Sequence, residues 1–260
     1  MERGERTMRK RGALVIAHGS SKSEWVAMVD EAVERVEVEM PVAVGFLELV
    51  EGRGIPDAVR SLEDQGVEEM IAVPLFVSSG SNHIAEIAHL LGVEAPFSVE
   101  TDVSPLEMNA RVRFCRPMDD HPYIAQILTE RAKSLSTDPQ NEWLLLVGHG
   151  NDTPVLHEEW EKAMKRLAGQ VQQATGFAGV SHATFHPDNL RERAEALARD
   201  YRLLVVPLFL SEGYFTRKAI PSRLEGIPYI YSGKTYLPHP LVSRWISTTV
   251  REALEEQTAV

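Results

Sequence analysis

Five side chains in this sequence combine metal-ligating chemistry with positions that a fold could gather: His18, Glu48 and His83 in the first half, His149 and His186 in the second. Imidazole and carboxylate together suit borderline divalent ions such as Co2+, Ni2+, Fe2+ and Zn2+. A site with two protein ligands is open and fits an ion that has to be passed on, whereas a closed structural site takes four. Neutral imidazole has an ordinary pKa near ~6.5, so the same groups can accept protons at neutral pH. Each residue also has a plainer reading. His18 could hydrogen-bond its own turn, Glu48 could cap backbone amides at a strand end, and His83 could simply open a helix. Glu86, three residues after His83 on the same helix face, serves equally well as surface charge. His149, between Gly148 and Gly150, could be a remnant of duplication. His121 and His239, each followed by proline, read as structural, and His89, His157 and His182 have no neighbours that single them out.

For the first three to meet, strands must deliver them to one edge. Residues 12–17, GALVIA, form a short apolar run that fits a strand buried on both faces, ending at His18-Gly19-Ser20. Ser23 reads as the N-cap of a helix that Pro41 closes. Residues 42–48 make a second strand ending at Glu48, and residues 57–65 a helix with Pro56 in its first turn and Gly66 as C-cap. Residues 69–77 make a third strand, running into a polar Ser78-to-Asn82 loop and a helix that His83 opens. Residues 110–115 make a fourth strand, with Cys115 as a small buried residue, before a helix from His121-Pro122. Alternation of strand and helix argues for right-handed crossovers and a parallel sheet covered on both faces. Ligands of such sheets bind beyond the carboxyl ends of the strands, which is where His18, Glu48 and His83 fall.

The programme then repeats. Residues 72–87, AVPLFVSSGSNHIAEI, return at residues 205–220 as VVPLFLSEGYFTRKAI, and Gly148-His149-Gly150 echoes Ala17-His18-Gly19. His149 follows His18 by 131 residues and Pro207 follows Pro74 by 133, so two distant landmarks agree on one tandem duplication. Further strands are expected at 143–147, 180–185, 203–210 and 229–237, with helices at 153–174, at 188–200 and after Pro240. Residues 134–142, SLSTDPQNE, have linker composition and place a domain boundary between 137 and 138. The expected fold is α/β: two similar domains, 1–137 and 138–260, packed face to face, each a parallel four-stranded sheet flanked by helices. The copies differ at one telling position, where His83 is replaced by Thr216. That asymmetry assigns the chemistry to the first half.

Composition narrows the partners. A net charge of −11 argues against a nucleic-acid binder, since phosphate recognition leaves a basic footprint, but not against a small anionic ligand held by a few basic residues. One cysteine allows neither an intramolecular disulfide nor a thiolate cluster, which suits a reducing cytoplasm. Residues 1–10 read as a solvated arm without the apolar core of a signal peptide, Met8 is an alternative start, and no run approaches the roughly 18 apolar residues of a membrane span. The Ser-rich loop before His83 could cradle phosphate at a helix N-terminus, yet it is neither a Walker A loop nor G-x-G-x-x-G. A phosphohistidine phosphatase would begin Arg-His-Gly, and here Ala17 precedes His18.

Ala17-His18-Gly19-Ser20, Phe46-Leu47-Glu48, and Val73-Pro74-Leu75-Phe76 leading to Gly80 and His83 resemble the CbiX group of sirohydrochlorin cobaltochelatases, relatives of the ferrochelatases. The resemblance spans both halves and is similar to the long, two-domain form. It departs in the spacing Gly80-Ser81-Asn82-His83 and in Glu86 where the family commonly has Asp. It implies paired α/β domains with a tetrapyrrole cleft between them, and a cytoplasmic lyase that inserts Co2+ into sirohydrochlorin for cobalamin synthesis. Ni2+ or Fe2+ chelation for sirohaem or related tetrapyrroles, and a non-catalytic metal or tetrapyrrole carrier, are the alternatives. The implied metal residues are His18 and His83, which also accept the pyrrole protons directly or through water, with Glu48 assisting proton removal or completing the coordination. No nucleotide is implied. Arg53, Arg217 and Lys218 are candidates for substrate carboxylates, and Tyr214 and Phe215 for packing on the macrocycle.

Overall fold

A computed structural model describes residues 9–95, 97 and 103–258; residues 1–8 of the expected arm, with Met8, lie outside the described residues. The first sheet contains β1 (Arg11–Ala17), β2 (Val42–Phe46), β3 (Glu69–Pro74) and β4 (Arg111–Phe114). Helices α1 (Ser23–Glu34), α2 (Ile55–Asp64) and α3 (Asn82–Leu90) lie between successive strands, and α4 (Pro122–Lys133) follows. The second sheet contains β5 (Glu142–Gly150), β6 (Gly179–His186), β7 (Arg202–Pro207) and β8 (Ile230–Tyr231). Its helices are α5 (Pro154–Thr175), α6 (Leu190–Leu197), α7 (Ile220–Arg223) and α8 (Pro240–Thr258). The orders are β2-β1-β3-β4 and β6-β5-β7-β8, with every neighbouring pair parallel. The α/β fold of two four-stranded parallel sheets flanked by helices is therefore as the sequence pattern requires.

The chain divides into two compact units. One holds the first sheet and consists of the described residues of Met1–Leu75, Ala85–Arg116 and Ile246–Val260. The other holds the second sheet and consists of Phe76–Ile84 and Pro117–Trp245. The boundary falls inside α3 and inside α8, so each unit contains segments from both halves of the sequence. In the first unit, central β1 is buried from Ala13 to Ala17 because β2 and β3 pair with it on either side. In the second, Leu145, Val147, Phe185, Leu190, Leu203, Val205 and Ile220 make the core between sheet and helices.

Several boundaries differ from the sequence pattern for identifiable reasons. β2 stops at Phe46, so Glu48 sits two residues past the strand, where Leu49 takes a positive φ of 64°. β3 stops at Pro74 rather than at residue 77. Leu75 makes a last bond to Ile16, after which the carbonyls of Phe76 and Val77 accept from Met118 and Asp119. Burial continues without strand pairing, and an apolar run records burial alone. The N-cap of α1 is Lys22, with Ser23 already helical. The last strand shrinks to Ile230–Tyr231. Residues 134–142 are not a loose linker: a short 3-10 turn spans Pro139–Asn141, and Glu142 opens β5 with its carboxylate fully buried. Lys10, which the sequence pattern places in a solvated arm, is tied down, because its carbonyl accepts from Glu68 and Glu69 and its ammonium donates to Gln65.

Candidate functional site

Parallel pairing aligns the strand exits in both sheets. Ala17 stands opposite Phe46, and Gly148 stands opposite Thr184. Glu48 and His186 each lie two residues beyond those partners, so His186 occupies in the second repeat the place of Glu48 in the first.

In the first unit, β1 delivers His18 directly beside Glu48. The amides of Leu47 and Glu48 donate to the carbonyls of Ala17 and His18 at 2.9 and 3.0 Å, extending the ladder past the strands. Gly19 makes this possible: its φ is +100°, and a Cβ there would lie 1.9 Å from the Glu48 carbonyl oxygen. His18 Nδ1 is 3.1 Å from the Gly19 carbonyl, which can only accept, so in the neutral ring Nδ1 carries the proton and Nε2 the lone pair. Nε2 lies 3.5 Å from Glu48 Oε1, with both side chains partly exposed. An imidazole lone pair and a carboxylate side by side at a solvent-accessible edge can share a cation or relay a proton.

His83 belongs to the second unit, as the second residue of α3, half-buried, with its ring 6.1 Å from that of Phe76. The loop before it is buried and fully engaged. Ser79 donates from its amide and hydroxyl to Asp119 at 2.7 and 2.6 Å, Gly80 donates to the Ser78 hydroxyl at 3.0 Å, and Ile84 donates to the Ser81 carbonyl at 3.1 Å. A helix opens on this frame, with its second residue, His83, beside Phe76. Among the described residues, no group of three or more His, Cys, Asp or Glu side chains is arranged to hold a metal ion. The structure brings His18 and Glu48 together and gives His83 its own rigid support.

The second repeat keeps the histidine of the first exit and changes its company. The rings of His149 and His186 lie 4.8 Å apart and 29° from parallel, and Phe215 packs edge-on to His149 at 4.9 Å. His149 Nδ1 faces the Gly150 carbonyl at 3.0 Å, as His18 faces Gly19, while His186 Nδ1 is held by Asp152 at 2.9 Å. Thr216 is buried, and its hydroxyl is spent on its own turn, accepting from the Gly213 amide at 2.9 Å and lying 3.2 Å from the Gly213 carbonyl. No ligand is presented where the first repeat has His83. A cavity of about 270 Å3 is lined by Phe185, His186, Tyr214, Phe215, Ser222 and Arg223. Tyr214 stands exposed at this cavity, whereas Phe215 is packed among Phe185, Phe209 and His149.

Of the basic candidates, Arg53 is committed elsewhere. It forms a two-pronged pair with Asp30 at 2.9 and 2.7 Å and lies 4.9 Å above the Phe46 ring, and the Asp30 hydrogen bond raises its pKa. Arg217 pairs with Glu212 at 3.0 Å on the surface, and Lys218 has no ion pair among the described residues. His121 and His239 are structural, the first accepting from the Tyr123 amide and the second lying 2.9 Å from Glu130. His182 does find a partner, Glu161 at 3.0 Å, a helix-to-strand pair that sequence spacing does not reveal. Cys115 is half-buried, and burial pushes its thiol pKa up to about 12.

Two four-stranded parallel sheets in tandem, with a histidine at the exit of each central strand, define a protein of the chelatase fold. SirB from Bacillus subtilis, solved with Fe3+, superposes with a TM-score of 0.74 at 18% identity over 96% of this chain and 98% of that one. The sirohydrochlorin chelatase SirB of Bacillus subtilis subspecies spizizenii, solved in complex with cobalt, gives 0.68 at 18% identity over 96% and 97%. The CbiX family model matches twice, over residues 12–135 and 143–257, and this chain belongs to the CbiX family. The sirohydrochlorin cobaltochelatase of Methanothermobacter thermautotrophicus is 28% identical over 133 residues, which is 92% of that protein and 48% of this chain. One repeat here thus has the extent of a whole relative. Among the described residues no helix is long and apolar enough to cross a membrane.

Proposed function

We propose that this protein is a metal chelatase that inserts a divalent ion, Co2+ in the first instance, into sirohydrochlorin on the route to cobalamin. Residues 1–137 supply the metal-handling half and residues 138–260 a degenerate repeat. The observation that carries the reading is the His18–Glu48 pair: an Nε2 lone pair fixed by the Gly19 carbonyl and a carboxylate 3.5 Å away, at a strand exit of a CbiX-family fold. Support comes from relatives named as sirohydrochlorin cobaltochelatases. Insertion replaces two pyrrolic N–H bonds by metal–nitrogen bonds, so the protein has to hold the ion loosely and take up two protons. His18 and His83 handle the ion, and His18 Nε2 and the Glu48 carboxylate accept protons, directly or through water. Ni2+ and Fe2+ satisfy the same ligands and compete by supply. Exposed Lys218 is available to the substrate's carboxylates, and Arg217 joins it by exchanging its surface pair with Glu212.

The test is an absorbance assay of metal insertion with Co2+, Ni2+ and Fe2+ in turn. His18→Ala and His83→Ala are each expected to abolish insertion while leaving the melting temperature within a few degrees of the parent. Thr216→Ala should leave the insertion rate nearly unchanged. Full rate in either histidine variant overturns the site, and Co2+ binding without acceleration of insertion by the parent protein identifies a carrier instead.

A further inference from the structure

We infer that Asn151, with Trp160 in support, is a positioning residue for His83. The second repeat's copy of the His-Gly-Ser exit has become the clamp on the first repeat's histidine loop. This rests on His83 handling the metal ion, as proposed above.

Asn151 is the counterpart of Ser20, one residue after the glycine at the strand exit. In the first repeat Ser20 acts locally, its hydroxyl accepting from the Lys22 amide at 3.2 Å. Asn151 reaches further within its unit. Its Nδ2 donates to the Gly80 carbonyl at 3.1 Å and to the Asn82 side-chain oxygen at 3.0 Å, and Asn82 is the residue immediately before His83. The other end of the same amide is fixed, since Oδ1 accepts from the Thr153 backbone at 2.9 Å. An amide with its oxygen committed to a backbone N–H must turn its two N–H groups toward the loop. Trp160 adds a second donor to the same Gly80 carbonyl at 3.2 Å.

Gly80 is where the clamp closes. A Cβ at that position would lie 2.3 Å from the Leu156 carbonyl oxygen and 2.5 Å from Trp160 Cδ1, so only a glycine lets the loop seat against α5. From the opposite side Asp119 takes both donors of Ser79. The loop is thus held at Ser79, Gly80 and Asn82, ahead of His83, by Asp119, Asn151 and Trp160. Partners hydrogen-bonded to a metal ligand typically matter by roughly 10- to 100-fold in metal affinity, and a clamp on the residues just before the ligand belongs at the lower end of that range.

The discriminating variant is Asn151→Asp. It is isosteric and keeps an acceptor for Thr153, but it has no N–H to give the loop. The measurements are KM for Co2+ and for sirohydrochlorin, kcat, and Co2+ affinity by titration, with Asn151→Ala and Trp160→Phe alongside. The expected result is a KM for Co2+ and a Co2+ dissociation constant raised roughly 10-fold or more in both Asn151 variants, with KM for the tetrapyrrole and the melting temperature near the parent values and a smaller effect in Trp160→Phe. A parental KM for Co2+ in Asn151→Asp, with His83→Ala inactive, overturns the positioning role and leaves His83 standing. A loss in which both KM values and the melting temperature move together also overturns it. Full activity in His83→Ala removes the premise instead.

Discussion

The backbone at Gly19 decides whether His18 and Glu48 can be neighbours at all. Its φ of +100° is disfavoured for any residue with a Cβ, and such an atom would stand only 1.9 Å from the Glu48 carbonyl oxygen. Gly19→Ala is therefore expected to push the Glu48 segment away, abolish metal insertion and cost on the order of 1–3 kcal/mol of stability. Chemical denaturation paired with the insertion assay checks both parts, and a stable, active alanine variant contradicts the argument. His18, Glu48 and His83 are legible as candidates in the sequence because parallel sheets present their strand exits at one edge. Asn151 is not, since its partners lie 71 and 69 residues away and a side-chain amide carries no spacing signal. Arg53 reads as a free cation for the same reason: its commitment to Asp30 on α1 is a tertiary fact.

At the scale of elements, the pattern of strands and helices is readable in the sequence and their ends are less so. Residues 134–142 have the composition of a linker, yet Glu142 is buried at the head of β5, accepting from the Thr137 amide at 3.0 Å, from the Ser136 hydroxyl and from Arg202 at 2.9 Å. Composition describes how a segment would behave in water and is silent about a carboxylate folded under it. Burial works to raise the Glu142 pKa, but the hydrogen bonds from Ser136 and the backbone, with the Arg202 charge, outweigh it and the pKa falls below the ordinary 4.5. A carboxyl whose folded pKa is depressed stabilises the fold above its unfolded pKa and loses that contribution as pH drops through the folded value. Glu142→Gln should destabilise the protein at pH 7 by about 1–3 kcal/mol, the range for a lost charged hydrogen bond. The gap between parent and variant should shrink as pH falls below about 4.5. Urea melts of both proteins at pH 7 and at pH 4 test it, and a gap that widens in acid refutes the assignment.

At the scale of the whole chain, sequence repeats and compact units follow different lines. The family match falls on either side of residues 136–142, and a relative of one repeat's length exists as a complete protein. In this chain, however, the unit with the first sheet includes Ile246–Val260 from the far end, and the unit with the second sheet includes Phe76–Ile84 and α4 from the first repeat. The attachments are specific. Ser247 accepts from the Glu37 amide at 3.0 Å and Arg251 donates to the Glu37 carbonyl at 2.6 Å, while Trp160 and Asn151 grip Gly80. Cutting between 137 and 138 therefore removes from each unit a segment that it buries, leaving apolar surface and backbone groups without partners. Fragments 1–137 and 138–260, purified separately, are expected to melt at lower temperature and less cooperatively than the intact chain, and to regain cooperativity and insertion activity when mixed. Circular dichroism melts of each fragment and of the mixture decide this. A first fragment that melts cooperatively at the parental temperature and inserts Co2+ unaided would show that the exchanged segments are ornaments on an independent repeat.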